Sequence, residues 1–479
     1  MLHHVFGKGV GVTQPIPADP GRRWWRARPQ AWWWIALVVV IPVIALTGLA
    51  AWLLVITTHP TKAAERIELV KTALAVGAGT GGVITLILAS RRQWHTEQAQ
   101  LGTEHDAAER RITDLYTKAA DQLGSDKAPV RLAGLYALER LAQDNPAQRQ
   151  TIVNVMCAYL RMPYIPPAEQ VPTDDAPESD QARFEARTQE HQVRHTAQRI
   201  LAAHLRTGRD HVEAVFWPDV DVDFTGATLI DLDFHNCHMR AASFARARFI
   251  GDASFTEARF SDDARFNGAQ FPSGAKFTGS QFAGTAMFAE AYFGGRAWFA
   301  DVTFAGAAWF VRAQFEGDAG FDRARIVGDA GFVGAQFMKG ARFGDARFIG
   351  KAEFGLAQVS GDAEFREAEF ASDATFIRAR FAGVAMFDEA QFAGIAMFAE
   401  TIFDGDARFS DAVFAGQVKF DRAQFAGAVH LASWVRLDVS TGLMGYAWPP
   451  GWKVVDTSDR PDPSMAGKWG RLMPPDRTP

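Results

Sequence analysis

The sequence predicts a mainly β fold, in which a narrow four-sided coil of very short strands follows a transmembrane hairpin and a small helical region. Three observations lead to this prediction. An eleven-residue unit repeats without a break over residues 247–433, two long uncharged runs precede residue 91, and apolar residues recur at helical spacing in between. The regular unit marks a repeat architecture, because one such unit alone has too little apolar surface to fold.

The N-terminal region contains two uncharged runs, residues 31–58 and 72–90. At about 1.5 Å per residue in a helix, both are long enough for a hydrocarbon core of about 30 Å. A cleaved signal peptide is the alternative for the first run, but its apolar segment is too long and a second run follows closely. We therefore predict a tail over 1–30 and a hairpin over 31–90, with spans at about 32–57 and 70–90.

The charges around these runs predict how the hairpin is oriented. Basic residues precede the first run and follow the second, at Arg22, Arg23, Arg26, Arg28, Arg91 and Arg92. The basic residues of the short loop are diluted by Glu65 and Glu68. Because positive charge is retained on the cytoplasmic side, we expect a multi-pass protein of the cell membrane with both termini and the coil in the cytoplasm.

The glycines of the second run permit two interpretations. Gly77, Gly79 and Gly82 match the dinucleotide fingerprint GxGxxG. That fingerprint needs a preceding strand and a second strand leading to an acidic residue, whereas two arginines end this run. Gly77 and Gly81 also form a GxxxG face, which lets two membrane helices approach closely. We predict the packing role, which leaves room for a homodimer.

Residues 91–162 have the pattern of a small helical region. One helix, which should stop at Gly124, has a face lined by Ile112, Leu115, Ala119 and Leu123. The stretch VRLAGLYALERLA predicts a second amphipathic helix. Asn145 followed by Pro146 is typical of an N-cap with proline at the first helical position, so a third helix should begin there.

Residues 163–180 contain five prolines and several acids, which predicts a solvated linker. A long helix within 181–216 should follow and cap the coil. His191 and His195 stand four apart, a spacing compatible with metal on a helix, but no third ligand and no HExxH glutamate accompany them. The acidic stretch 219–224 lacks the glycine and the final acid of a calcium loop, so we interpret it as the first strand.

The repeating unit is A-x-F-x-G-x-A-x-F-x-x. Its 11-residue period would also suit a right-handed coiled coil. At about 100° per residue, however, the four apolar positions would encircle a helix instead of forming a stripe, and each glycine would cost roughly 0.8–1 kcal/mol. On extended backbone, each Ala and the Phe two residues later share one face. The predicted core ladder is represented by Phe249, Phe255, Phe260, Phe266, Phe271 and Phe277.

The A-x-F segments are separated alternately by two and three residues, which allows only tight corners. We expect the glycine of the three-residue corner to adopt the positive φ that such a corner would need. Four sides make a coil of two whole units, so each Phe would stack on another Phe one coil away, which three sides would not achieve. About ten coils at ~4.8 Å each would make a rod of roughly 45 to 50 Å.

The residues before the eleven-residue units have a strict five-residue spacing, in Phe224, Leu229, Phe234, Met239, Phe244 and Phe249, with small residues two positions earlier. This pattern resembles the pentapeptide repeat family over about 217–433, and the family resemblance implies a right-handed quadrilateral β-helix. The segments LGSDKAPVRLAGLYALERLA and WPDVDVDFTGATL are similar to membrane-anchored pentapeptide repeat proteins of actinobacteria. Residues 434–479 should cap the far end.

The residue between Ala and Phe should point outward and be free to carry recognition. Apolar side chains occupy this place at Met287, Trp298, Trp309, Met386 and Met397, which we predict to form an interaction face. Met287 and Trp309 should lie directly above each other. Scattered apolar surface residues are ordinary, however, and the membrane-proximal helices would be an alternative cover for them.

Three classes of function follow from these features. The first is a membrane-tethered scaffold, whose expected partners are a cytoplasmic protein and the lipid bilayer. The family resemblance implies a second, a DNA-mimicking modulator of DNA gyrase or topoisomerase, but acidic and basic residues are interspersed here. The third is an enzyme, which we do not expect because no catalytic set, metal cluster or phosphate loop stands out.

Composition narrows the partners further. The net charge of −5 is small for 479 residues and does not favour binding of nucleic acid. Cys157 and Cys237 are too few for a disulfide framework or a zinc site, and Cys237 takes a small inward position of the repeat. We therefore expect no cofactor, no metal and no redox chemistry.

Overall fold

The computed structural model describes residues 109–167, 170–173, 176–207, 215–437, 448, 451–457, 459–462 and 465–473, with isolated positions between 41 and 107. The predicted tail and most of the predicted hairpin, including Gly77 and Gly81, lie outside the described residues. None of the helices within the described part of the chain has both the length and the hydropathy needed to cross a bilayer.

The second of two compact units, Arg111–Pro479, contains the helices and the coil. Helix α1 covers residues 111–123, α2 Ala128–Asp144, α3 Arg149–Arg161 and α4 Glu178–Leu205. These four helices are called the neck below. Ile152, Met156, Leu160, Val193 and Leu201 are among its fully buried side chains. The neck is thus a packed bundle.

One expectation about α1 is wrong. Ala119 and Leu123 are buried as predicted, but Leu115 is 47% exposed. The cause is the close approach of α2, where a Cβ on Gly134 would lie 2.8 Å from the Leu123 backbone nitrogen and 2.9 Å from the Ala119 carbonyl oxygen. Ala119 and Leu123 lie at this backbone contact, whereas Leu115 lies one turn before Ala119.

The residue Asn145 also has a different role from the predicted one. Its side-chain amide donates to the Leu141 carbonyl at 2.9 Å, and its backbone N–H donates to the same oxygen. Asn145 therefore ends α2 and makes no side-chain cap bond to the next element. Pro146 takes the first position of a short 3₁₀ helix, Pro146–Gln148, which leads into α3.

The coil has four faces, which are numbered in the order in which one turn of the chain passes through them. Ala286–Met287 lies on face 1, Tyr292–Phe293 on face 2, Ala297–Trp298 on face 3 and Thr303–Phe304 on face 4. The next strand, Ala308–Trp309, pairs in parallel with Ala286–Met287 and returns the chain to face 1. Faces 1 and 3 are therefore on opposite sides of the coil.

Each face is a column of parallel strands. Face 1 consists of Val222–Asp223, Ala242–Ser243, Ala264–Arg265, Ala286–Met287, Ala308–Trp309, Ala330–Gly331, Ala352–Glu353, Ala374–Thr375, Ala396–Met397 and Val418–Lys419. Face 4 consists of His238–Met239, Arg259–Phe260, Gln281–Phe282, Thr303–Phe304, Arg325–Ile326, Arg347–Phe348, Glu369–Phe370, Gln391–Phe392, Val413–Phe414 and Trp434–Arg436. Face 1 alone therefore contains ten stacked strands, which makes about ten turns.

Faces 2 and 3 begin with two longer strands, Thr228–Asp233 and Arg248–Ser254, which contribute to both. Face 2 continues with Gln270–Phe271, Tyr292–Phe293, Gln314–Phe315, Gln336–Phe337, Gln358–Val359, Arg380–Phe381, Ile402–Phe403 and Gln424–Phe425. Face 3 continues with Ala275–Lys276, Ala297–Trp298, Ala319–Gly320, Ala341–Arg342, Ala363–Glu364, Ala385–Met386, Ala407–Arg408 and Val429–His430.

Phenylalanine rings fill the interior. The six phenylalanines of the predicted ladder are each at most 1% exposed. Phe266 stacks on Phe288, one coil away, with ring centroids 4.7 Å apart and planes at 2°. Phe277, on the opposite face, meets Phe266 edge-to-face at 5.3 Å. Offset-parallel and edge-to-face contacts are the two favourable aromatic geometries, and both recur along the axis.

The corner glycines have the expected positive φ at Gly251 (73°), but the expectation is wrong for most later coils. There the positive φ falls in the two-residue corners, at charged residues such as Glu290 (58°) and Arg312 (55°). Gly284 and Gly306, in the three-residue corners, have no positive φ. Glycine is needed there for space, because a Cβ on Gly306 would lie 2.3 Å from the Gly284 carbonyl oxygen one coil below.

Both ends of the coil are covered by other parts of the described chain. At the first end, the Gln198 side chain of α4 donates to the Ile230 carbonyl at 2.6 Å and accepts from the Ile230 N–H at 3.0 Å. At the other end, the strand Trp469–Met473 pairs antiparallel with Trp434–Arg436 and with Lys453–Asp456. Covered ends remove the edges at which another chain could add a strand.

The corner contacts predict a specific response to substitution. Gly306→Ala should lower the free energy of unfolding by about 1–3 kcal/mol, the usual effect of overpacking, because the stacked corners must separate. Gly340→Ala is the matched control, since its Cβ would meet nothing closer than the Asp362 carbonyl oxygen at 3.5 Å. Denaturant unfolding of both variants measures the difference. Equal destabilisation by the two substitutions would contradict close approach as the reason for glycine.

Candidate interaction surfaces

The five outward apolar residues of the predicted interaction face lie on two opposite faces. Met287, Trp309 and Met397 are on face 1, whereas Trp298 and Met386 are on face 3. Met287 and Trp309 are register partners in adjacent strands, as the 22-residue spacing predicts. No one flat surface can therefore present all five side chains to a partner.

On face 3 the two apolar side chains are covered by arginines. The Arg342 guanidinium lies 5.0 Å above the Trp298 ring, and Arg342 also donates to Asp322 at 3.1 Å. Met386 is only 7% exposed, and its sulfur accepts a hydrogen bond from Arg366 at 3.2 Å. Face 3 thus presents charge outward and keeps its apolar groups underneath.

On face 1 the indole of Trp309 lies against the sheet. A Cβ on Gly331, its register partner one coil further on, would fall 2.3 Å from Trp309 Cε3. The missing side chain at position 331 therefore makes the space in which the ring lies. A ring held flat against backbone loses little conformational entropy on binding, which suits it to a preformed contact surface.

Around Trp309 the surface carries almost no charge. The stretches 283–289 and 305–311, AGTAMFA and AGAAWFV, contain no charged residue, and 327–333 contains one, Asp329. The outward residues Met287, Ala305, Ala307, Trp309, Val311 and Val327 are called the apolar band below. An ion pair between Glu290 and Arg312, at 2.6 Å, borders the band at the corner toward face 2.

Corner positions vary within the repeating unit, so the sequence pattern does not predict which of them belong to the apolar surface. Val327 and Ile349 are 38% and 37% exposed at the corner between faces 4 and 1. They occupy equivalent places in adjacent coils, and their 22-residue separation was visible in the sequence. They extend the apolar surface beyond the strands themselves.

Comparison with known proteins supports the repeat assignment. The family model for pentapeptide repeats (9 copies) matches residues 234–279, 310–358 and 354–402. The coil is therefore built from pentapeptide repeats. No curated protein and no solved structure shows significant similarity to it. The matched stretches are those in which Ala and Phe line the interior of the coil.

The charges of this pentapeptide repeat protein are mostly paired across coils. Arg323 holds Asp301 through two hydrogen bonds of 2.7 Å, and these lower the pKa of the Asp301 carboxyl. Arg378 donates to Glu400 at 2.8 Å, again one coil away. Exposed pairs of this kind stabilise a fold only weakly, because water screens their attraction. Because arginines interrupt the acidic columns, the surface lacks the continuous negative charge that DNA mimicry requires.

The histidines and cysteines that the sequence singled out do not form a metal site or a reactive thiol in the described part of the pentapeptide repeat protein. The described residues contain no group of three or more His, Cys, Asp or Glu side chains that could hold a metal ion. The rings of His191 and His195 stack with centroids 6.4 Å apart. Burial raises the pKa of the Cys157 and Cys237 thiols to about 12, so both remain protonated and unreactive at neutral pH.

The contact between Trp309 and Gly331 predicts a coupling that a double-mutant cycle can measure. In the parent protein, Gly331→Ala should be destabilising by about 1–3 kcal/mol, because the new Cβ displaces the ring. In a Trp309→Ala background the same substitution should be nearly neutral. The coupling energy comes from denaturant unfolding of the four proteins. A coupling below about 0.5 kcal/mol, the usual error of additivity, would show that the ring does not lie over Gly331.

Proposed function

We propose that this pentapeptide repeat protein is a non-catalytic scaffold, anchored in the cell membrane by residues 31–90, that binds a cytoplasmic protein through face 1. The apolar band is the observation that carries the proposal. It is an uncharged surface on a chain whose other faces carry paired charges, and depletion of charge with enrichment of Trp and Met is typical of an interface centre.

The rigidity of the coil supports a role in presenting a surface. Each interior ring contacts rings above, below and beside it, as Phe310 does with Phe288 at 4.7 Å and Phe332 at 4.9 Å. A filled interior leaves no room for a substrate, and it holds the outward residues in fixed positions. Binding to such a surface requires little ordering, so more of the contact energy appears as affinity.

Buried polar contacts hold the helices of the neck together. Arg194 of α4 is 2% exposed and donates to Glu190 at 2.7 Å, to the Leu160 carbonyl at 3.0 Å and to the Met162 carbonyl at 2.9 Å. Arg131 of α2 pairs with the same Glu190 at 3.1 Å. These contacts tie α2, α3 and α4 into one body that carries the first coil.

The membrane anchor is supported by the sequence. The uncharged runs 31–58 and 72–90 are long enough to span, and the flanking arginines favour cytoplasmic termini. A tether of this kind would confine the apolar band to the cytoplasmic surface of the membrane. Confinement raises the effective concentration of the scaffold near membrane-bound partners.

The size of the apolar band indicates how the partner binds. Three coils at about 4.8 Å each extend only about 15 Å along the axis. A stable interface buries about 800 Å² on each partner, so the partner must also contact the neighbouring coils. We expect Trp309 and Met287 to be the energetic centre, with Met397, three coils beyond Val327 along the same side, at the rim.

Proximity labelling in cells tests the proposal. A Met287→Ala and Trp309→Ala double variant of the full chain should lose specific labelled neighbours, because the centre of the band is removed. The matched control is Trp298→Ala with Met386→Ala, which makes the same chemical changes on face 3 and should retain those neighbours. An unchanged neighbour set in the face 1 variant, or equal losses in both variants, would overturn the proposed face.

A further inference from the structure

Where the neck meets the coil, one buried histidine has hydrogen-bond acceptors at both ring nitrogens. His204, in the last turn of α4, is 3% exposed. Its Nδ1 lies 2.7 Å from the Val215 carbonyl oxygen, and its Nε2 lies 2.8 Å from Glu139 Oε1 of α2. Neither acceptor carries a hydrogen of its own while Glu139 is ionised.

With Glu139 ionised, this arrangement requires one more proton than a neutral imidazole supplies. A neutral imidazole has one N–H and one lone pair. If the N–H is given to Val215, the lone pair of Nε2 faces a carboxylate oxygen, and the contact is repulsive. With a second proton on the ring, both contacts become hydrogen bonds, and the one to Glu139 is charge-assisted.

The surroundings of the ring also favour a positive charge. The His204 ring stacks on the Trp217 indole with centroids 3.9 Å apart and planes at 9°, and an indole face attracts cations. The position near the C-terminus of α4 adds the negative end of the helix dipole. Burial opposes the charge, but hydrogen-bond acceptors meet both nitrogens of the buried ring.

Among the described residues, Glu139 is the charged group in contact with this ring. Gln143, one turn further along α2, is neutral and accepts from the Trp217 indole N–H at 2.9 Å. Arg206, two residues beyond His204, is directed elsewhere and donates to the Asp233 carboxylate at 3.1 Å and to the His235 carbonyl at 3.1 Å. No second charge therefore competes for the same proton.

The contact joins three parts of the chain at the entry to the coil. His204 belongs to α4, Glu139 to α2, and Val215 to the segment that leads into the first strand. The Trp217 N–H donates to the His204 carbonyl at 2.8 Å, which ties that segment to the end of α4. Glu139 also lines an open cleft of about 490 Å³, so water can reach the pair and exchange its proton.

We propose that His204 and Glu139 share one proton that locks the neck to the start of the coil, and that its loss at rising pH loosens this joint. The sign follows from proton counting. The folded joint holds one proton more than a neutral imidazole beside a carboxylate holds. The stabilisation is therefore complete at lower pH and is lost as the pH rises. The proposal is independent of the apolar band.

Hydrogen–deuterium exchange of the full chain tests the lock across about pH 5 to 8, the range in which histidine changes charge. After correction for intrinsic exchange, the amides of residues 215–224 and of the last turn of α4 should lose protection about tenfold or more with rising pH, as expected for loss of a charged hydrogen bond. The Glu139→Gln variant should show no such loss, because its amide can donate to the lone pair of the neutral ring.

The control is Glu185→Gln, an exposed change of the same kind on α4, which should behave like the parent protein. A pH dependence that persists unchanged in Glu139→Gln would overturn the proposal, as would its absence from the parent protein. Nitrogen NMR of labelled histidine in the full chain gives a second measurement, which does not depend on any variant. Both His204 nitrogens should be protonated at the low end of the range, and a neutral ring throughout would also overturn the proposal.

Discussion

The stacking of phenylalanine on phenylalanine from coil to coil is the interaction on which the rest of this molecule depends. Phe255 and Phe277, for example, are 4.9 Å apart with planes at 4°. This distance matches the spacing of hydrogen-bonded strands, about 4.8 Å, so the rings and the backbone ladder can both be satisfied by one rise per coil. The interior therefore fixes the pitch, and the pitch places every outward residue directly above its counterpart.

That constraint explains the composition of the walls and corners. Alanines such as Ala286 and Ala308 pair in register and are fully buried, since anything larger would widen the tube. At most three-residue corners, backbone approaches backbone and glycine occupies the middle place, whereas Asp262, Ser273, Lys339 and Ser372 occupy it in the other four. At the two-residue corners, the positive φ is compatible with charged residues, whose side chains then pair with the next coil. The surface retains the freedom to vary only between Ala and Phe and at the corner tips.

Much of this could be predicted from the sequence, because Ala and Phe alternate at positions that only extended backbone brings to one side. The reason for the corner glycines could not be predicted from the sequence, because the contact between Gly306 and Gly284 joins residues that are one whole coil apart. The same holds for Leu115, whose exposure depends on where α2 packs. The order of the strands in the coil determines which outward apolar residues lie on face 1 and which on face 3. The cover of Trp298 by Arg342 and of Met386 by Arg366 depends on side-chain conformations, which the sequence does not show.

The contact between His204 and Glu139 could likewise not be predicted from the sequence, since 65 residues separate the two partners along the chain. The central claim is that phenylalanines stack from one coil to the next, and it is tested most directly by measuring which strands are neighbours in the coil. Oxidation of a Gln314→Cys and Gln336→Cys double variant should form a disulfide, because the two residues are partners in adjacent strands at a Cα separation that such a bond can bridge. A Gln314→Cys and Arg325→Cys pair, half a coil apart on opposite faces, should not form one. Efficient cross-linking of the second pair and not the first would contradict a four-sided coil of stacked phenylalanines.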